Sequence, residues 1–124
     1  MAACAAVVLG FGFRGAPAPA DAQVRTEAKR VTSRFLTALD QGRYKQACAL
    51  LAKQFYLRHH VPGRLQCATG LAMGMGGTAV RFRITGVDVH GKSAEVHAVV
   101  DGDPGIVVLV RESGSLRILD QRAA

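Results

Sequence analysis

Three cysteines and four histidines are the residues of this chain best suited to chemistry. Cys4 lies in an apolar N-terminal run, which leaves Cys48 and Cys67 in the body of the chain. An even pair behind an export-like segment reads as one structural disulfide in an oxidising compartment. Two reduced thiols, or a redox role, are the competing readings. No Cys-x-x-Cys occurs, which argues against a thioredoxin-type site. Closing the loop of about 20 residues between them would stabilise the fold by roughly 3 kcal/mol.

The histidines do not form a ligand set by spacing. His59 and His60 are adjacent, and neighbours on a helix diverge by about 100°, so they cannot share one metal as an i,i+4 pair would. His90 falls near a turn and His97 on a strand, and nothing in their spacing brings them to the helix pair. Met73-Gly74-Met75 offers two thioethers, yet Met near a helix end more often fills a core gap. Asp101-Gly102-Asp103 lacks the further oxygens of a calcium loop and reads as a turn. Gly74–Gly77 is not followed by Lys-Ser/Thr, so it is not a phosphate loop. No Gly-x-Ser-x-Gly or nucleophile–base spacing is present. The expectation is no metal, no cofactor and no catalytic set. Asp40, Tyr44, Tyr56 and Arg58 are the polar residues placed to line a cavity mouth; helix-end capping and surface exposure explain them more cheaply.

The elements that must position these residues follow from periodicity. Val24, Ala28, Val31, Phe35 and Leu39 recur at helical spacing. That helix ends at Asp40-Gln41-Gly42, where glycine suits a left-handed cap. A second helix has Tyr44, Ala47, Cys48, Leu51 and Phe55 as its inward stripe and closes at Arg58-His59-His60, before Val61-Pro62-Gly63. A third covers Arg64–Met73, with Gly74–Gly77 as a loop. Period two then takes over. Val80, Phe82 and Ile84 alternate with arginines, and the phase slips to Val87 and Val89, with Gly86 where a β-bulge needs it. His90-Gly91-Lys92-Ser93 and Asp101–Gly105 are turns around the strand of Val96, Ala98 and Val100. Ile106–Val110 is a continuous apolar run that suits a strand covered on both faces. Ser113-Gly114-Ser115 leads into a last strand at Leu116–Leu119. Three helices and then a four-stranded antiparallel meander make an α+β domain over residues 23–122.

Residues 1–22 carry an apolar, uncharged run followed by alternating small residues at Ala16–Ala22, the pattern of a signal peptide or N-terminal anchor. Charge is uneven. The whole formal excess of +7 is matched by residues 25–64, while residues 65–124 sum to zero. Arg25, Lys29, Arg30 and Arg34 flank the first helix and are the candidate anion-facing residues. A basic helical half suits an anionic polymer or membrane surface; a solvated helix face is the plainer reading. No nucleic-acid motif accompanies it.

The arrangement of Val24 through Gly42, then Arg43-Tyr44-x2-Ala47-Cys48-x-Leu50-Leu51, a second cysteine at Cys67, and the Leu109–Ile118 hairpin resembles the exported nuclear-transport-factor-2-like domains of high-GC bacteria. The resemblance covers roughly residues 24–120. It implies a curved sheet wrapped by helices into a cone, and a disulfide between Cys48 and Cys67. Leu116 stands where such hairpins usually carry Trp. That superfamily hosts enzymes, ligand binders and interaction modules, so fold does not decide function. The leading expectation is an exported, extracytoplasmic, non-enzymatic domain that binds a small apolar ligand or an envelope protein. An isomerase, dehydratase or cyclase using the cone, and an electrostatic binder acting through the basic helices, are the alternatives. One sheet face is a candidate for homodimer formation.

Overall fold

The computed structural model describes residues 17–124, with side chains from residue 21 onward. The apolar run at residues 1–13 and Cys4 lie outside them. The described residues form four helices, α1 (Pro17–Asp40), α2 (Tyr44–Ala49), α3 (Lys53–Arg58) and α4 (Arg64–Met75), then four strands, β1 (Phe82–His90), β2 (Ser93–Val100), β3 (Asp103–Glu112) and β4 (Ser115–Ala123). The strands pair antiparallel in chain order as a meander. No described helix is long and apolar enough to cross a membrane.

Helix α1 begins earlier than its apolar stripe suggests. Pro17 and Pro19 sit in its first turn, where backbone N–H groups have no intrahelical acceptor and proline costs little. Ala28, Val31, Phe35 and Leu39 are buried as the periodicity requires. Leu36 and Ala38 are buried too, because α2 packs on a second side of α1. Gly42 ends the segment with φ +71, a conformation that glycine adopts without steric cost.

The expected second helix is two helices. At Leu50–Ala52 the chain leaves the helix and joins the edge of β4: Ile118 N donates to Leu50 O at 2.9 Å and Ala52 N donates to Ile118 O at 2.7 Å. Pairing with the sheet satisfies these backbone groups in place of helical bonds. The turn after α3 passes through His60, whose φ is +54. The third expected helix runs to Met75, two residues further than the sequence suggests, and is capped by Gly76 at φ +55.

In the sheet, the phase slip seen in the sequence is a bulge between Ile84 and Gly86. A second irregularity opposes Val108 and Leu109 to Asp120 and Ile118, leaving Leu119 as the extra residue of β4. Val87, Ala94, Val96, Val107, Leu109, Leu116 and Ile118 form the sheet's share of the core. The apolar run of β3 is not covered on both faces: Val107 and Leu109 are buried, while Ile106, Val108 and Val110 are only half-buried. The helices occupy one face, so the other keeps contact with solvent.

A cavity between the last helix and the sheet

Helix α4 leans on α2 and touches the strands little. The Cys48–Cys67 disulfide, with Cα atoms 6.1 Å apart, ties it to α2. Held from that side, α4 stands off the sheet and leaves a cavity of about 590 Å³. Cys67, Gly70, Leu71 and Met75 form the α4 wall. Phe35 and Leu39 of α1, Ile118 of β4, and Phe55 and Val61 line the rest of it. A second hollow of about 450 Å³ adjoins it across Leu39, Met75 and Gln121 and opens toward Val100 and Gly105. Both volumes fall in the range of small-molecule sites.

Four polar side chains interrupt the apolar lining: His59, Gln66, Asp120 and Gln121. The His59 ring lies 4.4 Å from that of Phe55, tilted by 43°. Asp120 Oδ2 faces Arg58 at 3.8 Å, and Asp120 Oδ1 accepts the backbone N–H of Gln121 at 2.8 Å. Among the described residues no hydrogen bond or ion pair joins His59 to Asp120. Gln66 on α4 and Gln121 on β4 are amides that can each donate and accept hydrogen bonds.

The residues read from the sequence as a cavity mouth take other positions. Asp40 Oδ1 accepts the N–H of Val80 at 2.8 Å, anchoring the end of α1 to the start of the sheet. Tyr44 Oη accepts the N–H of Gly77 at 3.1 Å and so holds the loop after α4. Tyr56 Oη donates to the carbonyl of Cys48 at 2.5 Å, and burial pushes its pKa up against the opposing charge of Arg64. The walls of the cavity contain none of these three; Arg58 meets the cavity only through Asp120.

The candidate anion-facing residues Arg25, Lys29, Arg30 and Arg34 are all exposed on α1. Arg25 donates to the carbonyl of Val87, and Glu27 is one turn from Arg30. Arg34 and Arg43 border a shallow groove with Gln41 and Gln46. Met73, expected as core filler, is 81% exposed, because α4 turns Cys67, Ala68, Leu71 and Met75 inward and Met73 away from them. Sequence reasoning missed the lining residues Gly70, Gln66, His59 and Gln121. The signal that could have pointed to them is a helix rich in small residues, which cannot fill the space beneath it.

No family pattern and no curated protein matches the chain. Solved structures do. An NTF2-like protein of unknown function from Silicibacter pomeroyi superposes with a TM-score of 0.55 at 17% identity, over 77% of this chain and 90% of that one. An NTF2-like protein of unknown function from Methylobacillus flagellatus gives 0.56 at 16% identity, over 77% and 86%. The chain has the NTF2-like fold. A candidate dehydratase from the NTF2-like family of Streptomyces avermitilis gives 0.56 at 14% identity, over 77% and 91%. At these identities the likeness to NTF2-like structures is one of fold. The curved four-stranded sheet with N-terminal helices is what the resemblance in the sequence implied.

Proposed function

We propose that this NTF2-like domain acts outside the cytoplasm as a non-enzymatic binder of a small, largely apolar ligand held in the cavity beneath α4. The observation that carries this reading is the cavity's chemistry: a largely apolar cavity of about 590 Å³ with one amide from α4 and one from β4 in its lining. Such a lining favours a hydrocarbon body with one or two hydrogen-bonding groups that meet Gln66 and Gln121. The disulfide supports an oxidising compartment. The NTF2-like dehydratase candidate keeps an acid–base role for His59 and Asp120 as the second reading. Asp120 instead faces Arg58 and accepts the N–H of Gln121, contacts that favour a structural role.

Gly70 provides the test. It lines the cavity, and a Cβ built on it meets no atom within 4 Å. Gly70→Leu should therefore fill the space without disturbing the helix, and replacing a mid-helix glycine favours the helix by roughly 1 kcal/mol. In a fluorescence titration with the uncharged apolar probe N-phenyl-1-naphthylamine, the parent protein should bind saturably. Gly70→Leu should weaken binding at least tenfold while keeping or raising the melting temperature. Undiminished probe binding in that variant would contradict the reading. Dehydration or isomerisation of a small substrate, abolished by His59→Ala, would establish the second.

A further inference from the structure

The solvent-facing side of the sheet holds a second group of reactive side chains. Asp88 and His90 stand two residues apart on β1, and Glu95 and His97 stand two apart on β2. Asp88 pairs with Glu95 across the ladder, and His90 pairs with Ser93. Strand alternation sends these four side chains to one face, opposite the core residues Val87, Ala94 and Val96. His97 Nε2 lies 2.8 Å from Asp88 Oδ2, and His90 Nε2 lies 3.8 Å from Glu95 Oε1. Donor atoms of Asp88, Glu95 and His97 fall within 4.8 Å of one another, the one such trio of His, Cys, Asp or Glu among the described residues.

The register adds an independent argument. Two carboxylates directly opposite on neighbouring strands repel each other and destabilise the pair. Arg122 relieves part of this by donating to Glu95 Oε2 at 2.8 Å. Glu95 Oε1 and Asp88 remain beside the two imidazoles, an arrangement that a divalent cation would neutralise.

We propose that Asp88, Glu95 and His97, with His90 as fourth ligand, form a site for a borderline divalent cation of the zinc class. Tetrahedral ligands at 2.0–2.1 Å from zinc stand about 3.3 Å apart. The 2.8 Å contact must open and the 3.8 Å contact must close by about 0.5 Å each. Small side-chain rotations suffice for Asp88, Glu95 and His97; His90, which lies outside that 4.8 Å trio, must swing further to join them. Glu95 can keep Oε2 on Arg122 and give Oε1 to the ion, so that Arg122 orients the ligand. Two imidazoles and two carboxylates suit zinc, nickel or cobalt better than magnesium or calcium, which prefer all-oxygen sets. The bound ion joins β1 to β2 and stiffens their hairpin; it is separate from the cavity on the other face.

Isothermal titration of zinc chloride into the chelator-treated full chain tests this. One saturable site per chain is expected, with a rise in melting temperature and no comparable binding of magnesium. His97→Ala and Asp88→Asn should each weaken zinc binding at least tenfold, and His60→Ala should leave it unchanged. Circular dichroism of the variants checks that they fold, which their exposed positions favour. No saturable zinc binding, equal magnesium binding, or zinc binding as tight in His97→Ala as in the parent would overturn the proposal.

Discussion

Glu27 joins α1 to the sheet through both of its carboxylate oxygens. Its Oε1 accepts from Arg111 and its Oε2 accepts the N–H of Leu116, each at 3.0 Å, tying α1 to the β3–β4 hairpin. Burial pushes its pKa up, but the Leu116 bond, the Arg111 bond and the charges of Arg111 and Arg30 outweigh burial and hold it below its ordinary value. A lowered carboxylate pKa stabilises the fold above the unfolded value near 4.3 and loses that contribution as pH falls through the folded value. Glu27→Gln should cost about 1–3 kcal/mol at neutral pH. In urea unfolding, the gap between parent and variant should shrink as pH drops below about 4; a gap independent of pH would contradict the account. At this scale the two cysteines were legible in the sequence because their number and the export-like segment constrain them. Glu27 was not, because its partners Arg111 and Leu116 lie far away in the chain, and Gln66 and Gln121 were not, because only the fold brings α4 and β4 to one cavity.

Among the elements, α4 decides the site, and the Cys48–Cys67 disulfide decides where α4 stands. Removing the bridge with Cys48→Ala and Cys67→Ala together should lower stability by roughly 3 kcal/mol. Probe binding in the cavity should weaken as well, because Cys67 is part of its wall. Thermal unfolding and probe titration on the same samples check both expectations. The break between α2 and α3 has its own test. Ala52→Pro removes the N–H that donates to Ile118 and leaves a buried carbonyl without its partner, at a cost of about 1–3 kcal/mol, read in the same unfolding assay. The strands and the Gly86 bulge were readable because period two and its slip are local signals. The break at Leu50–Ala52 was not, since Leu51 and Phe55 continue the helical spacing of Ala47 and Cys48. Only the distant backbone of β4 interrupts that helix.

At the scale of the molecule, the described residues present a basic helical side, an apolar cavity, and a sheet face with mixed charge. The formal charge of +7 is concentrated in residues 25–64, and the exposed Lys29 and Arg34 enter no ion pair among the described residues. Adsorption to anionic phosphatidylglycerol vesicles at low salt should therefore fade as salt approaches physiological strength, where charges are screened beyond about 8 Å. Sedimentation with the vesicles at two salt concentrations measures this. The architecture was legible in the order of its elements. The cavity was not, because an empty volume depends on how far a helix stands from a sheet, and no local pattern encodes that distance. The central claim is that a small apolar ligand enters beneath α4. Its most direct test is a two-dimensional NMR titration of the isotope-labelled protein with the fluorescent probe used above. The account predicts shifts concentrated at Gly70, Leu71, Ile118 and Gln121. Shifts confined to the basic residues of α1 or to the outer sheet face, with the α4 wall unmoved, would contradict it.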